Sequence, residues 1–111
     1  MYDNKDVPLA GIEWDGEKAR LNLKKHGVSF ETAQYVFSDP ELLLRFDRSE
    51  NNKSGEERWQ SLGKIGKVLF VVYEEHGENK RIISARLADK NDRRSYNGYY
   101  QIDGKGWTKA L

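Results

Sequence analysis

With no cysteine, two histidines and nineteen lysines and arginines against eighteen carboxylates, this chain's chemistry must come from guanidinium, ammonium, imidazole and carboxylate groups. Two arginines stand out by position. Arg86 closes an otherwise apolar run that starts at Ile82, and Arg58 opens a segment that alternates with large residues such as Trp59. Two guanidiniums projecting from one sheet toward one groove would make a phosphate clamp, because arginine pairs bidentately with phosphate oxygens. The competing reading is a local ion pair for each, and Arg58 has Glu56 and Glu57 beside it. On a regular strand Ile82, Ser84 and Arg86 share one face, and Arg81, Ile83 and Ala85 the other.

His26 falls at the end of a predicted helix. It would serve there as a charge against the helix dipole, or as an acid or base near neutral pH together with Lys25. His76 lies in a glycine turn and is expected to be exposed. Two separated histidines without ligand spacing make no metal site, so neither metal nor cofactor is expected. The segment 63–67 lacks the order of a phosphate-binding loop, and Ser84 lacks the His and Asp arrangement of a nucleophile.

Charge is uneven. From 80 to 94 there are six basic residues, Lys80, Arg81, Arg86, Lys90, Arg93 and Arg94, against Asp89 and Asp92, a balance of +4; from 39 to 58 the balance is −2. The bland reading of the basic stretch is a solvated face with local ion pairs. The whole-chain charge of +1 excludes the general positive field of a highly basic nucleic-acid binder but leaves room for a local patch.

The elements that must position these groups follow from caps and periodicity. Asp15 is the expected N-cap of a helix running to His26, with Gly27 at its C-cap and Ala19, Leu23 and His26 on one face flanked by Asn22. Ser29 caps a second helix with the apolar stripe Phe30, Ala33, Val36, Phe37, closed before Pro40. Strands are expected at 42–46, 58–62, 67–75 and 80–86, with a polar loop over 47–55 and a turn over 63–66. The short connections demand antiparallel pairing. A charged helix is expected over 88–96, and the tail from 97, with Tyr99, Tyr100 and Trp107, has no readable pattern. The sum is a single α+β domain over 1–111: a helical hairpin, a four-stranded antiparallel meander and a C-terminal helix. The longest apolar run, 68–73, is far too short to span a membrane, and the polar start has no secretory pattern, so a cytoplasmic location is expected.

The run Glu13-Trp14-Asp15, Lys18, Asn22 and Lys25-His26-Gly27-Val28-Ser29-Phe30-Glu31 resembles the opening of the BrnT toxin family. Gly55-Glu56-Glu57-Arg58 with Leu62-Gly63, and Arg81-Ile82-Ile83-Ser84-Ala85-Arg86 with Arg93, Arg94 and Tyr96, continue the resemblance over 12–96. Asp92 replaces the usual Glu before the paired arginines, and 97–111 lies beyond the matching region. The resemblance implies a RelE-like fold and a metal-independent endoribonuclease toxin of a type II toxin–antitoxin pair, which stops translation. It implies neutralisation by a BrnA-like antitoxin through which operator DNA is bound and the operon repressed. For cleavage by the substrate's own 2′-hydroxyl, Arg86 and Arg58 are the expected phosphate charges, with Lys25, His26 or Glu57 handling protons. Lys90, Arg93 and Arg94 would hold flanking phosphates and Tyr96 stack on a base, unless Tyr96 instead packs its helix on the sheet. The alternatives are an inactive toxin-derived module acting only in the antitoxin complex, and a plain RNA-binding sheet.

Overall fold

The computed structural model describes residues 8–50, 52 and 57–111. Residues 51 and 53–55 of the loop expected over 47–55, and Glu56, lie outside these. The described elements are β1 (Ile12–Trp14), α1 (Gly16–His26), the single turn α2 (Phe30–Ala33) continued as a 3-10 helix (Gln34–Ser38), β2 (Leu43–Phe46), β3 (Arg58–Ile65), β4 (Lys67–His76), β5 (Asn79–Leu87), α3 (Lys90–Tyr96), a short 3-10 turn (Tyr99–Gln101) and β6 (Thr108–Lys109).

The helix termini obey local chemistry. The Asp15 carboxylate accepts from the Lys18 amide and Gly27 takes φ 71° at the C-cap. The Ser29 hydroxyl accepts from the Thr32 amide. The last helix starts at Lys90 rather than 88, because Asp89 and Asp92 form a reciprocal capping box.

The expected four-stranded meander is present at the centre of a larger, mixed sheet of order β1-β5-β4-β3-β2-β6. β1 runs parallel to β5 and β6 antiparallel to β2. Both outer strands are too short to show an alternating pattern, so they were not expected. The turn expected over 63–66 shrinks to Gly66, at φ 68°. β3 continues through Gly63, whose missing side chain lets the 3-10 helix sit on the sheet: a Cβ there would stand 2.6 Å from the Val36 Cβ.

One sheet face packs against α1, α2 and the 3-10 helix, where Phe30, Ala33, Val36, Val71, Ile82 and Ala85 are fully buried. That burial contradicts simple alternation, since Ile82 and Ala85 are three apart. A bulge opposite Val72 and Tyr73 shifts the register, pairing Val72 with Ser84 but Tyr73 with Ile82. α1 also departs from expectation. Leu23 is half exposed, and Asn22 is the residue turned inward. The Asn22 amide donates to the carbonyls of Val28 and Ala85 and accepts from the Ala85 amide. β1 has ended at Trp14, opposite Ile82, so this side chain continues the ladder along the edge of β5.

The tail is ordered by Trp107, which is buried with Leu43, Leu62, Phe70 and Ala88 at one end of the second sheet face. Tyr96 packs against the same cluster, and its hydroxyl donates to Asp39 at 2.5 Å.

Candidate functional site

Among the described residues no helix crosses the middle of the second sheet face, and three cross-strand rows of side chains define it. Arg58, Glu74, Arg81 and Glu13 align across β3, β4, β5 and β1. Arg45, Gln60, Val72 and Ser84 align across β2, β3, β4 and β5. Leu43, Leu62, Phe70 and Arg86 form the third row. Arg81 and Arg86 are five residues apart and would oppose one another on a regular strand; the bulge turns both to this face.

Three clefts run together along these rows. One of about 320 Å³ is bordered by Arg45, Arg48 and Lys105. It shares Ser49 and Gln60 with a cleft of about 360 Å³ lined by Arg58, Phe70, Val72 and Ser84. That cleft shares Arg58 and Ile83 with another of about 420 Å³, which holds Glu74, Arg81 and Lys18. The result is a continuous groove, cationic at its Arg45 end, where Arg48 and Lys105 join it, and charge-balanced toward its other end, where Asp47, Glu74, Glu13 and Asp15 face Arg58, Arg81 and Lys18.

Each guanidinium is held. Arg58 donates to Glu74 through Nη2 at 2.6 Å and Nε at 3.1 Å, and both side chains are largely buried. Its carboxylate on the groove is therefore Glu74, rather than the sequence neighbour Glu57. Arg86 donates to Asp92 at 3.1 Å and stacks over Phe70, with its carbon 4.1 Å from the ring centre. Arg45 donates to Gln60 at 2.6 Å and to the Lys105 carbonyl at 2.9 Å, and lies 4.1 Å over Trp107. Burial, offset by Asp92 and Asp47 and reinforced by Arg86, lowers its pKa, although a guanidinium stays charged. At the far end Glu13 accepts from Asn79 and Arg81 and touches His76, which draws its pKa down to about 2.

The structure thus brings Arg58 and Arg86 to one face, as the sequence suggests. It does not bring Lys25 and His26 there. Lys25 is exposed at the end of α1, and His26 lines a separate groove on the helix-covered side with Val28 and Leu69. Glu57 is exposed and precedes Arg58, so alternation points it away from the groove. The basic stretch 80–94 divides into local pairs: Lys80 with Glu75, Arg81 with Glu13, Arg86 with Asp92 and Arg94 with Asp103. Arg93 donates to the Ala88 carbonyl, Lys90 is exposed, and the Tyr96 ring is committed to packing. Arg45 was missed. Its signal was the one that marks Arg86, a guanidinium on an otherwise apolar strand. Among the described residues no cluster of His, Asp or Glu could hold a metal ion, and no helix is long and apolar enough to cross a membrane.

A family model described as the ribonuclease toxin BrnT of type II toxin–antitoxin systems matches residues 14–92. Among solved structures, the chain is similar to the Brucella abortus ribonuclease toxin BrnT, determined by crystallography at 1.1 Å. The two share 23% identity over 71% of this chain and 96% of the other, with a TM-score of 0.51, which is a likeness of fold. No curated protein matches the chain.

Proposed function

The chain belongs to the BrnT family of ribonuclease toxins of type II toxin–antitoxin systems, and from that premise we propose that RNA is cut in the groove on the bare sheet face. The observation that carries this reading is that Arg45 and Arg58 line one continuous groove and Arg86 stacks over Phe70 in its wall, three guanidiniums from three strands on one sheet face. RNA phosphates follow these guanidiniums, and the substrate's 2′-hydroxyl attacks the adjacent phosphorus. The 2′-hydroxyl proton passes to the base, the P–O5′ bond breaks as the O2′–P bond forms, and the leaving 5′-oxygen takes a proton from water, so the product ends are a cyclic phosphate and a 5′-hydroxyl. No metal takes part. Arg86 and Arg58 neutralise the charge that builds on the phosphoryl oxygens in the transition state. Glu74, seated at Arg58, takes the place considered for Glu57 as the proton acceptor. Lys25 and His26 have no part in this step. A cognate antitoxin holds the toxin inactive, and a BrnA-like partner would carry the pair to operator DNA and repress the operon.

The test is cleavage of a defined RNA by purified protein in the presence of EDTA, with Arg86→Ala and Arg45→Ala checked for folding by circular dichroism. We expect cyclic-phosphate products, and a rate lower by about 10²–10³-fold for Arg86→Ala. Activity abolished by EDTA, or unchanged in both folded variants, would overturn the mechanism. Absence of cleavage by folded wild type, with or without translating ribosomes, would leave the inactive antitoxin-binding module.

A further inference from the structure

The inward turn of Asn22 forces its neighbour Leu23 outward. Leu23 and Leu87 are 50% and 48% exposed. They border a groove of about 540 Å³, between α1 and the β3–β4 turn, lined by Val28, Ile65 and Leu69. Across Gly66, Lys67 and Leu87 it opens into a second groove of about 440 Å³ edged by Lys64, Lys67 and Arg93. These three cations are exposed and, among the described residues, make no ion pair, whereas four of the six cations in the 80–94 stretch do. An aliphatic trough therefore leads directly into an uncompensated cationic one. Neither shares a lining residue with the arginine-lined clefts.

We infer that this composite groove is a docking surface for an amphipathic, acidic helical segment of the cognate antitoxin, an inference that rests on reading the chain as one half of a toxin–antitoxin pair. The lining decides among occupants. Single-stranded RNA is gripped by several aromatic rings on which successive bases stack, and neither groove is lined by a Phe, Tyr or Trp, only the His26 imidazole standing at the aliphatic one. A second copy of this chain, meeting face to face about a two-fold axis, would bring Lys64, Lys67 and Arg93 against themselves. A helix with an aliphatic ridge at i, i+3, i+4 and i+7 fills the Leu23–Leu87 trough, and carboxylates on its following turn meet the three cations. Docking here leaves the arginine groove to another part of the antitoxin.

The experiment uses the full chain and the antitoxin encoded beside it, with affinity measured by calorimetry at two salt concentrations. The variants are Leu23→Glu, Leu87→Glu and the pair Lys64→Glu with Lys67→Glu. All change exposed side chains, and each is checked for an unchanged melting temperature and for RNA cleavage. The expected result is at least about a tenfold loss of affinity for each leucine variant. For the lysine pair we expect a loss that shrinks at high salt, with cleavage unchanged throughout. Wild-type affinity in all the variants overturns the inference while leaving the toxin reading intact. Loss of cleavage with antitoxin affinity kept would make the groove a nucleic-acid track and also overturn it. A wild-type dimer that Leu87→Glu dissociates would assign the face to a second copy. Failure of the wild type to bind any antitoxin removes the toxin–antitoxin reading itself, and the inference with it.

Discussion

Replacing Asn22 with alanine tests how this fold aims Arg86. The Asn22 amide makes three hydrogen bonds: to the Val28 carbonyl at 2.9 Å, to the Ala85 carbonyl at 2.8 Å and from the Ala85 amide at 3.1 Å. The side chain is 7% exposed, so water cannot readily replace these bonds in the variant. At about 1 kcal/mol each, their loss costs about 3 kcal/mol, before any added penalty for the stranded backbone groups. In a domain of this size that lowers the melting temperature by about 12–20 °C. Thermal unfolding followed by circular dichroism measures the loss. Amide exchange at Ala85 reports the local effect, and we expect its protection to fall with that of its strand edge. Ala85 immediately precedes Arg86, so RNA cleavage measured below the melting transition should fall as well. The isosteric Asn22→Asp keeps the acceptor for the Ala85 amide but removes both donors, and should be at least as destabilising. A fall of less than about 4 °C for Asn22→Ala, equivalent to under about 1 kcal/mol, would refute the view that this side chain extends the sheet.

Gly63→Ala should cost about 1–3 kcal/mol in urea denaturation, because the new methyl group meets Val36 at 2.6 Å and the 3-10 helix must lift; an unchanged midpoint would mean that helix is loosely seated. Tyr96→Phe should lose about 1.5 kcal/mol by the same assay through the missing hydroxyl bond to Asp39. It should leave base preference in RNA cleavage unchanged, since the ring is occupied in packing. Glu13, whose pKa is depressed from 4.5 to about 2 by Asn79, Arg81 and His76, contributes stability that is whole above about pH 4.5 and is lost as pH falls toward 2. Acid titration of the melting temperature should therefore be shallower over that window in Glu13→Gln than in wild type.

What could be read in the sequence was local. Asp15, Gly27 and Ser29 mark helix ends because each cap bonds within a few residues of itself. The four inner strands are long enough to show their composition. β1 and β6 exist only through pairing with strands distant in sequence, and three or two residues carry no period. The bulge opposite Val72 is a feature of two strands together, so alternation along β5 alone placed Ile82 apart from Ala85. The same limit governed the site. Arg58 and Arg86 could be proposed from strand ends, but their true carboxylate partners, Glu74 and Asp92, come from register and capping. His26 and Lys25 carried chemical promise without any sequence signal of which sheet face they would serve. Arg45 was legible by the reasoning applied to Arg86 and was lost among the charges of an acidic stretch.

The outermost strands set a rule for association. The inner strands β4 and β5 are ten and nine residues long, yet the sheet ends in β1 with three residues and β6 with two. A partner that binds by adding its own strand needs a run of free backbone donors and acceptors along an edge. Among the described residues neither margin offers one of useful length, and Asn22 occupies part of what β1 leaves open on β5. Strand addition at these two described edges is thereby a poor route both to self-association into fibres and to capture by a partner. The described part of this chain is thus recognised best at its faces and grooves through side chains, where charge and shape can be selective.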